Sequence, residues 1–295
     1  MRFERWFRLV WLVAAVALVL MLFAACGEEE KEKTPTATPA GTPSGTPAGT
    51  PAAGVPELQD GVLQVGSDIA YAPVEFFEEG TTTPLGLDID LGNALAEELG
   101  VRTQFINTGF DGIIGGLNVS RFDVIMSAMT ITEDRSKKID FVPYLSAGTD
   151  ILVPKGNPKN IGGIEDLSGL TAAVELGTIQ VDQLKAANEE LKAAGKAEIN
   201  ISTFDVNPLA VEQLHLGRAD AVLADSPVVA NDARLSEGEL EALGLAIEAA
   251  PYGIGVRKAS TELKAAMEDA LQKVIENGKY DEILKTWGLE GGAIE

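Results

Sequence analysis

Short apolar runs alternate with longer segments of helical periodicity over most of this 295-residue chain. A first series of predicted strands reads GVLQVGSD, VRTQFI and RFDVIMSAM, and a second reads LTAAVEL, INISTF and ADAVLAD. Helical segments separate these strands, and two more helices follow a last strand, PYGIGVRK. Strands that alternate with helices form mainly parallel sheets with helices on both faces. The sequence therefore predicts an α/β protein with two doubly wound lobes.

The third strand of the first series ends in residues that a simple turn does not need. Residues 127–135 read SAMTITEDR, so a buried strand leads into two threonines, two acids and an arginine. In doubly wound sheets, ligands bind beyond the carboxyl ends of the strands, where helix N-termini point. This stretch is therefore a predicted ligand site.

The N-terminal segment has the features of an export signal. Three arginines precede an uncharged apolar run over residues 9–25, and Cys26, the single cysteine of the chain, follows. The run is short for a membrane span and has a basic flank, so we predict a signal peptide at 1–25. The end of the run, FAAC, resembles the bacterial lipoprotein signal, in which this cysteine is acylated. An ordinary signal peptide or an uncleaved anchor is the alternative.

A tether is predicted between the cysteine and the folded body. Residues 34–56 repeat Thr-Pro and contain no charged or aromatic side chain. Such a segment buries too little apolar area to offset the entropy of ordering it. We therefore predict that residues 26–56 are disordered, with a reach of roughly 3 Å per residue when extended.

The folded body is strongly acidic. The net charge is −22, and residues 1–56 contain five basic and five acidic residues, so the whole excess lies in the body. This balance argues against binding to nucleic acid and against electrostatic docking on anionic lipid. Solubility is the simplest use of such a charge.

Seven segments of the body occur in a characteristic order: VGSDIAYAPVEF, GLDIDLGNALAEELG, GFDGIIGGLNVSRFDVIMSAMTITEDRSKKIDFVPYL, LGTIQ, GRADAVLADSP, YGIGVRK and GKYDEILKTWG. Together they resemble the polar amino-acid-binding proteins of ABC importers, the solute-binding proteins of family 3. The resemblance covers nearly all of residues 58–292.

This resemblance implies a clamp in which two lobes close on a ligand. Lobe 1 is expected at residues 57–147 together with 250–295, and lobe 2 at residues 148–249. Two crossover strands, near residues 148–153 and 247–255, are expected to form the hinge.

An α-amino acid presents a carboxylate, an ammonium and a side chain, and the resemblance implies partners for each. For the carboxylate it implies Arg135, whose planar guanidinium is a bidentate donor, together with Thr130. It adds the backbone N–H of Thr178 from lobe 2. Thr132 is a predicted N-cap of the helix that carries Arg135. The alternatives are an ion pair of Arg135 with a nearby aspartate and a purely capping role for Thr178.

For the ammonium, the resemblance implies Asp225, which follows a buried strand, and the carbonyl of Ala128. The alternative for Asp225 is an N-cap of the helix that begins at the next Ser-Pro. Asp68, in GSDIAYAP, is expected either to contact the distal end of the ligand or to brace its own loop.

For the side chain, Tyr71 and Phe110 match the aromatic walls of the family's pocket. Their rings suit an aliphatic stem and a cation. Core packing is the alternative for both. Met129 is a further candidate, although its character fits a core residue better.

The resemblance places Glu175 at a position that faces the far end of the ligand side chain in some members of the family, and Gln180 is a second polar candidate for the pocket. A glutamate at this position, together with Asp68, suits a basic amino acid such as arginine or lysine. The alternative is that Glu175 points away from the cleft, because successive strand residues alternate between faces.

We expect a binding protein rather than an enzyme. His215 is the only histidine and has no metal-ligand partner at a useful spacing, and neither GxxxxGK[ST] nor GxSxG occurs. A dehydratase-like enzyme of the same fold and a ligand sensor are the alternatives. We expect no cofactor, no metal and no nucleic-acid partner. We expect an exported monomer, lipid-anchored at the outer face of the cytoplasmic membrane, that delivers a polar L-amino acid to the permease subunits of an ABC importer.

Overall fold

The computed structural model describes residues 54–294. The predicted signal peptide at 1–25, Cys26 and most of the tether lie outside the described residues. Two residues of the predicted tether have a defined place in the fold, because Val55 is buried in the core and Pro56–Leu58 forms a 3₁₀ turn. None of the helices in residues 54–294 combines the length and apolar character that crossing a membrane requires.

Strands and helices alternate along the chain. The first part contains β1 (Val62–Ser67), β2 (Ala70–Tyr71), β3 (Glu75–Phe77), β4 (Pro84–Leu85), α1 (Leu87–Glu98), β5 (Arg102–Asn107), α2 (Ile113–Asn118), β6 (Val124–Ile125) and α3 (Glu133–Ser136). The second part contains β7 (Asp140–Pro154), β8 (Thr171–Glu175), α4 (Ile179–Ala193), β9 (Asn200–Phe204), α5 (Asn207–His215), β10 (Ala221–Asp225), α6 (Ser226–Leu235), β11 (Leu240–Ala242), β12 (Ile247–Val256), α7 (Thr261–Glu276) and α8 (Lys279–Trp287). The α/β class is therefore as predicted.

The main sheet has the strand order β5-β1-β6-β12-β7-β10-β8-β9, and β11 pairs with β7. The strands around β1 and around β8 pair in parallel. β7 and β12 are antiparallel to their neighbours. Two groups of parallel strands thus flank a central antiparallel pair. We use lobe 1 for β1–β6 with α1–α3, α7 and α8, and lobe 2 for β8–β10 with α4–α6.

The two long strands β7 and β12 belong to both groups. Val142 of β7 pairs with Ile254 of β12 on the lobe 1 side, and Asp150 of β7 pairs with Ala224 of β10 in lobe 2. The sheet therefore continues from one lobe into the other through these two strands.

Glycine is required at Gly148 of β7, where an added Cβ would lie 2.5 Å from the backbone carbon of Ala246.

Helix α1 shows how the apolar pattern builds a lobe. Leu87, Leu91 and Leu95 recur at helical spacing and are all buried. Each buried leucine contributes about 1.5–3 kcal/mol to folding. Gly92 brings the helix close to the sheet, since a Cβ there would lie 2.9 Å from the ring of Phe105. The same stripe that predicted this helix therefore covers one face of the lobe 1 sheet.

Two features depart from the sequence prediction. β6 is much shorter than the predicted strand RFDVIMSAM, because the chain turns at Ala128, where φ is 44°. The Ala128 N–H donates to the Asp88 carboxylate at 3.0 Å instead of to a strand. The small sheet β2-β3-β4 was not predicted, since strands of two or three residues carry no periodic signal.

Candidate functional site

A cavity lies between the two lobes, beyond the carboxyl ends of β1, β8 and β10. It holds about 290 Å³ of empty space, including the solvent at its mouth. Its lining residues are Asp68, Tyr71, Glu75, Phe110, Ser127, Ala128, Thr130, Arg135, Glu175, Thr178, Ile179, Gln180 and Asp225. The structure thus brings together every predicted site residue except Met129.

One end of the cavity, which we call the arginine end, consists of Arg135, Phe110, Thr130 and Thr178. The Arg135 Nη1 donates to the Thr130 carbonyl at 2.7 Å, and Nη2 donates to the carbonyl of Gly177 in lobe 2 at 3.1 Å. The guanidinium carbon lies 5.2 Å from the centroid of the Phe110 ring, which is a cation–π contact. Burial lowers the pKa of Arg135, but arginine remains charged in proteins. Because a guanidinium has five N–H donors, donors remain for a ligand carboxylate.

The short helix α3 places Arg135 at the cavity. The Thr132 hydroxyl accepts a hydrogen bond from the Arg135 N–H at 3.2 Å, so the predicted N-cap is confirmed. Asp134 pairs with Lys137 at 2.8 Å and does not neutralise Arg135. The guanidinium therefore contacts the carbonyls of both lobes rather than a surface aspartate.

The start of α4 brings lobe 2 close to the arginine end. Gly177 has φ of 83°, and an added Cβ would lie 2.8 Å from the Cα of Asp111 in lobe 1. The Thr178 hydroxyl donates to the Glu175 carbonyl at 2.8 Å and makes no capping hydrogen bond. The first N–H groups of α4 are therefore not capped by this side chain, and a ligand carboxylate is a suitable partner for them.

Asp225 lies at the N-cap position of α6, but its side chain makes no capping hydrogen bond. Its carboxylate accepts from Gln180 Nε2 at 2.7 Å, and its N–H donates to the Tyr71 hydroxyl of lobe 1 at 2.9 Å. Burial raises the pKa of Asp225 to about 6, although the hydrogen bond from Gln180 lowers it. A nearby ammonium group would favour the ionised form of this buried carboxyl group.

A second group of cavity residues, which we call the acidic end, consists of Asp68 and Glu175, and Glu75 also lines the cavity. Glu175 is the last residue of β8 and lines the cavity rather than pointing away from it. Burial, and then the negative charge of Asp68, raise the pKa of Glu175 to about 9. Burial also raises the pKa of Asp68 to about 6, although the Phe110 N–H donates to its carboxylate at 3.0 Å. A cation placed between the carboxyl groups of Asp68 and Glu175 would favour the charged form of each.

The prediction omits Glu75, Ile179 and the hydroxyl of Ser127 as cavity groups. Glu75 is a charged residue among apolar neighbours in the segment APVEFF, and this contrast is the signal that was available. Ile179 follows Thr178 at the start of α4, and its apolar side chain did not mark it as a cavity residue. Ser127 lies within the predicted stretch SAMTITEDR.

Met129 is the predicted residue that the structure places outside the cavity. It is 1% exposed and belongs to an apolar cluster with Ile113, Leu117, Phe122, Ile125 and Ile139. An unbranched thioether fills an irregular apolar space well and offers a polar ligand little. Met129 is therefore a core residue of lobe 1.

Known proteins with this architecture include binding proteins for amino acids. The arginine-binding protein ArgT of Corynebacterium glutamicum is 33% identical over 246 residues, which cover 82% of this chain and 80% of that protein. A solved structure of an ancestral arginine-binding protein bound to arginine has 37% identity and a TM-score of 0.72, covering 77% of this chain and 98% of its own. An ancestral amino acid-binding protein, described as a precursor of cyclohexadienyl dehydratase, has 38% identity and a TM-score of 0.70, covering 78% of this chain and 96% of its own.

These structural likenesses confirm the predicted two-lobe clamp fold. The family model for bacterial extracellular solute-binding proteins, family 3, matches residues 63–290. That range contains both lobes and every residue that lines the cavity. This chain therefore belongs to the bacterial extracellular solute-binding proteins of family 3.

Proposed function

We propose that this protein binds a polar L-amino acid between its lobes, and that the ligand is a basic one such as arginine or lysine. The observation that carries the proposal is the number of carboxyl groups that line the cavity. Four carboxyl groups line it, those of Asp68, Glu75, Glu175 and Asp225, and of the lining residues in the described chain only Arg135 is basic. A basic amino acid brings one carboxylate and two cations, which complements this set.

The ligand orientation follows from the two ends. The ligand carboxylate binds Arg135 and the first N–H groups of α4, and its ammonium binds Asp225 and the Ala128 carbonyl. The side chain passes Tyr71 and reaches the acidic end. The names of ArgT and of the ancestral arginine-binding protein support a basic ligand.

We propose binding without turnover. The relatives described above are binding proteins by name, although one is described as a precursor of a dehydratase. Within residues 54–294, no group of His, Cys, Asp and Glu is arranged to hold a metal ion, and His215 lies 3.3 Å from Glu239. In this proposal, Glu175 binds a cationic side chain and is not a catalytic residue.

We also propose that the chain is exported, lipid-anchored through Cys26, and delivers its ligand as a monomer to the permease of an ABC importer. The family description, which is that of extracellular proteins, supports export. Incorporation of labelled palmitate that is lost in Cys26→Ser would test the anchor.

The deciding experiment is a thermal-shift screen of the twenty amino acids, followed by calorimetry with arginine, lysine, glutamine and citrulline. A ligand at a hundredfold excess over its Kd stabilises the folded state by about 2.7 kcal/mol. Arginine or lysine is expected to bind at least tenfold more tightly than glutamine. Citrulline, which resembles arginine but lacks its charge, is the matched control. Equal or tighter binding of glutamine would overturn the basic ligand, and no shift with any amino acid would overturn the ligand class.

A further inference from the structure

A second pair of carboxyl groups adjoins the cavity. Glu75 on β3 and Asp88 in the first turn of α1 are 1% and 0% exposed. Asp88 does not line the cavity, and the proposed ligand contacts use neither residue. Buried carboxylates are normally paired with cations because an isolated buried charge is very costly. This pair consists of two acids, so its protonation needs a physical explanation.

One oxygen of each carboxyl group has clear hydrogen-bond partners. The Ser127 hydroxyl donates to Glu75 Oε1 at 3.1 Å. The Ala128 N–H and the Tyr144 hydroxyl donate to Asp88 Oδ2 at 3.0 and 2.9 Å. The remaining oxygens, Glu75 Oε2 and Asp88 Oδ1, are buried and accept from no donor atom of the described chain. A proton between the two carboxyl groups would satisfy both oxygens with one hydrogen bond.

We propose that Glu75 is protonated at neutral pH and donates this proton from Oε2 to Oδ1 of Asp88. The pair then carries one negative charge instead of two, and no buried carboxyl oxygen is left without a partner. We further propose that the pair positions the backbone at Asp68 and Ala128, which the proposed ligand contacts. This second part rests on the proposed function.

The surroundings of the pair favour the protonated form of Glu75. Burial, and then the negative charge of Asp88, hold the pKa of Glu75 well above its usual value. Burial raises the pKa of Asp88 to about 7, although the hydrogen bonds from the Ala128 N–H and the Tyr144 hydroxyl lower it. The other titratable groups that face the pair are acids or phenols, namely Asp68 and Glu175 at the cavity, Tyr71 on β2 and Tyr144 on β7.

The pair is connected to both ends of the cavity. The Ser127 hydroxyl that donates to Glu75 also accepts from the Asp68 N–H at 2.9 Å, so Glu75 orients the loop of the acidic end. Asp88 holds the N–H of Ala128, whose φ of 44° directs the chain toward Thr130 at the arginine end. Glu75 and Asp88 are therefore positioning residues, since they act through the backbone of residues that contact the ligand.

The first experiment needs no ligand. Unfolding by urea is measured from pH 5.5 to 7 for the wild type and for Glu75→Gln. Glutamine keeps a donor toward Asp88 and an acceptor for Ser127 but binds no proton. The folded-state pKa of Glu75 is raised, so its contribution to stability is present at low pH and is lost as the pH rises.

The wild-type unfolding constant is therefore expected to rise with pH more steeply than that of E75Q, by a further factor of about ten per pH unit. Glu78→Gln removes an exposed carboxylate near β3 and is the control for net charge. The control is expected to follow the wild type. Equal slopes for the wild type and E75Q would overturn the protonated Glu75.

The second experiment uses arginine as the probe and compares E75Q with Glu75→Leu. Leucine breaks the link to Ser127 and leaves Asp88 Oδ1 without a partner, so E75Q is expected to bind arginine at least tenfold more tightly than E75L. Equal binding by the two variants would overturn the positioning role. A wild type that binds no amino acid would instead refute the proposed function, while the urea experiment still decides the protonation of Glu75.

If E75L does not fold, Ser127→Ala replaces it. This variant breaks the link between Glu75 and Asp68 and leaves Glu75 able to hold its proton. It is expected to weaken arginine binding at least fivefold and to keep the wild-type dependence of unfolding on pH. Unweakened binding would contradict the positioning role.

Discussion

The two ends of the cavity are built in different ways. At the arginine end, two contacts of Arg135 are with near neighbours in the sequence, the capping hydroxyl of Thr132 and the carbonyl of Thr130, and one is with the Gly177 carbonyl of lobe 2. At the acidic end, Asp68 and Glu175 come from different lobes, and the Asp68 N–H is held by Ser127, 59 residues further along the chain. The proposed donor for a carboxylate thus comes from one local segment, whereas the proposed site for a cation combines segments that are distant in the sequence.

This difference matches the proposed division of recognition between the two ends. In this proposal, the arginine end binds the carboxylate that all α-amino acids share, and the acidic end contacts the side chain, in which they differ. Variants at the arginine end are therefore expected to weaken all ligands alike, and variants at the acidic end are expected to change the preference among them.

The largest expected effect is that of Arg135→Ala. Loss of a charge-assisted bidentate contact should cost about 2–4 kcal/mol of binding free energy, for arginine and glutamine equally. Arg135→Lys keeps the charge without the planar guanidinium, so its affinity should lie between those of the wild type and R135A. Calorimetry with both ligands measures this, and normal binding by R135A would show that the carboxylate is bound elsewhere.

Glu175→Gln should have the next largest effect, and a selective one. Loss of a hydrogen bond to a charged group should weaken arginine by about 1.5–3 kcal/mol, while glutamine binding is kept or improved. Competition between the two ligands on one sample gives their ratio directly. An equal loss for both would mean that the acidic end does not select the side chain.

The dependence of binding on pH should be smaller and should come from the acidic end and Asp225. The pKa values of Asp68 and Asp225 are about 6, and that of Glu175 is about 9. A cationic ligand favours the ionised carboxylates, so binding releases protons and the affinity for arginine should increase from pH 5 to pH 8. The increase is at most about tenfold per pH unit for each proton released. Citrulline should show a weaker dependence, and the same profile for both ligands would contradict this origin.

Tyr71→Phe should have the smallest effect on binding and should not change the preference between arginine and glutamine. It removes the hydroxyl that accepts from the Asp225 N–H across the cleft. The expected loss is about 0.5–1.5 kcal/mol of binding free energy, equal for arginine and glutamine. A changed ratio of the two affinities would instead place Tyr71 in ligand selection.

The parts of the fold that could be predicted have strong local signals. The stripe of Leu87, Leu91 and Leu95 predicts α1, and the hydroxyl at Thr132 predicts the start of α3. The strand ending at Ile125 was predicted too long, because nothing local shows that Asp88 captures the Ala128 N–H and turns the chain. Met129 was a candidate for the ligand site whose character fitted the core better, and the structure places it in the core of lobe 1.

The amino-acid sequence by itself determined the α/β class, the order of the strands and helices, and the segment that carries Arg135. These depend on the spacing of apolar residues and on capping groups a few positions apart. Only the tertiary structure decided that Glu175 faces Asp68, and that Glu75 lies buried against Asp88. Carboxyl groups so far apart in sequence acquire their unusual pKa values only when folding removes them from water and brings them together.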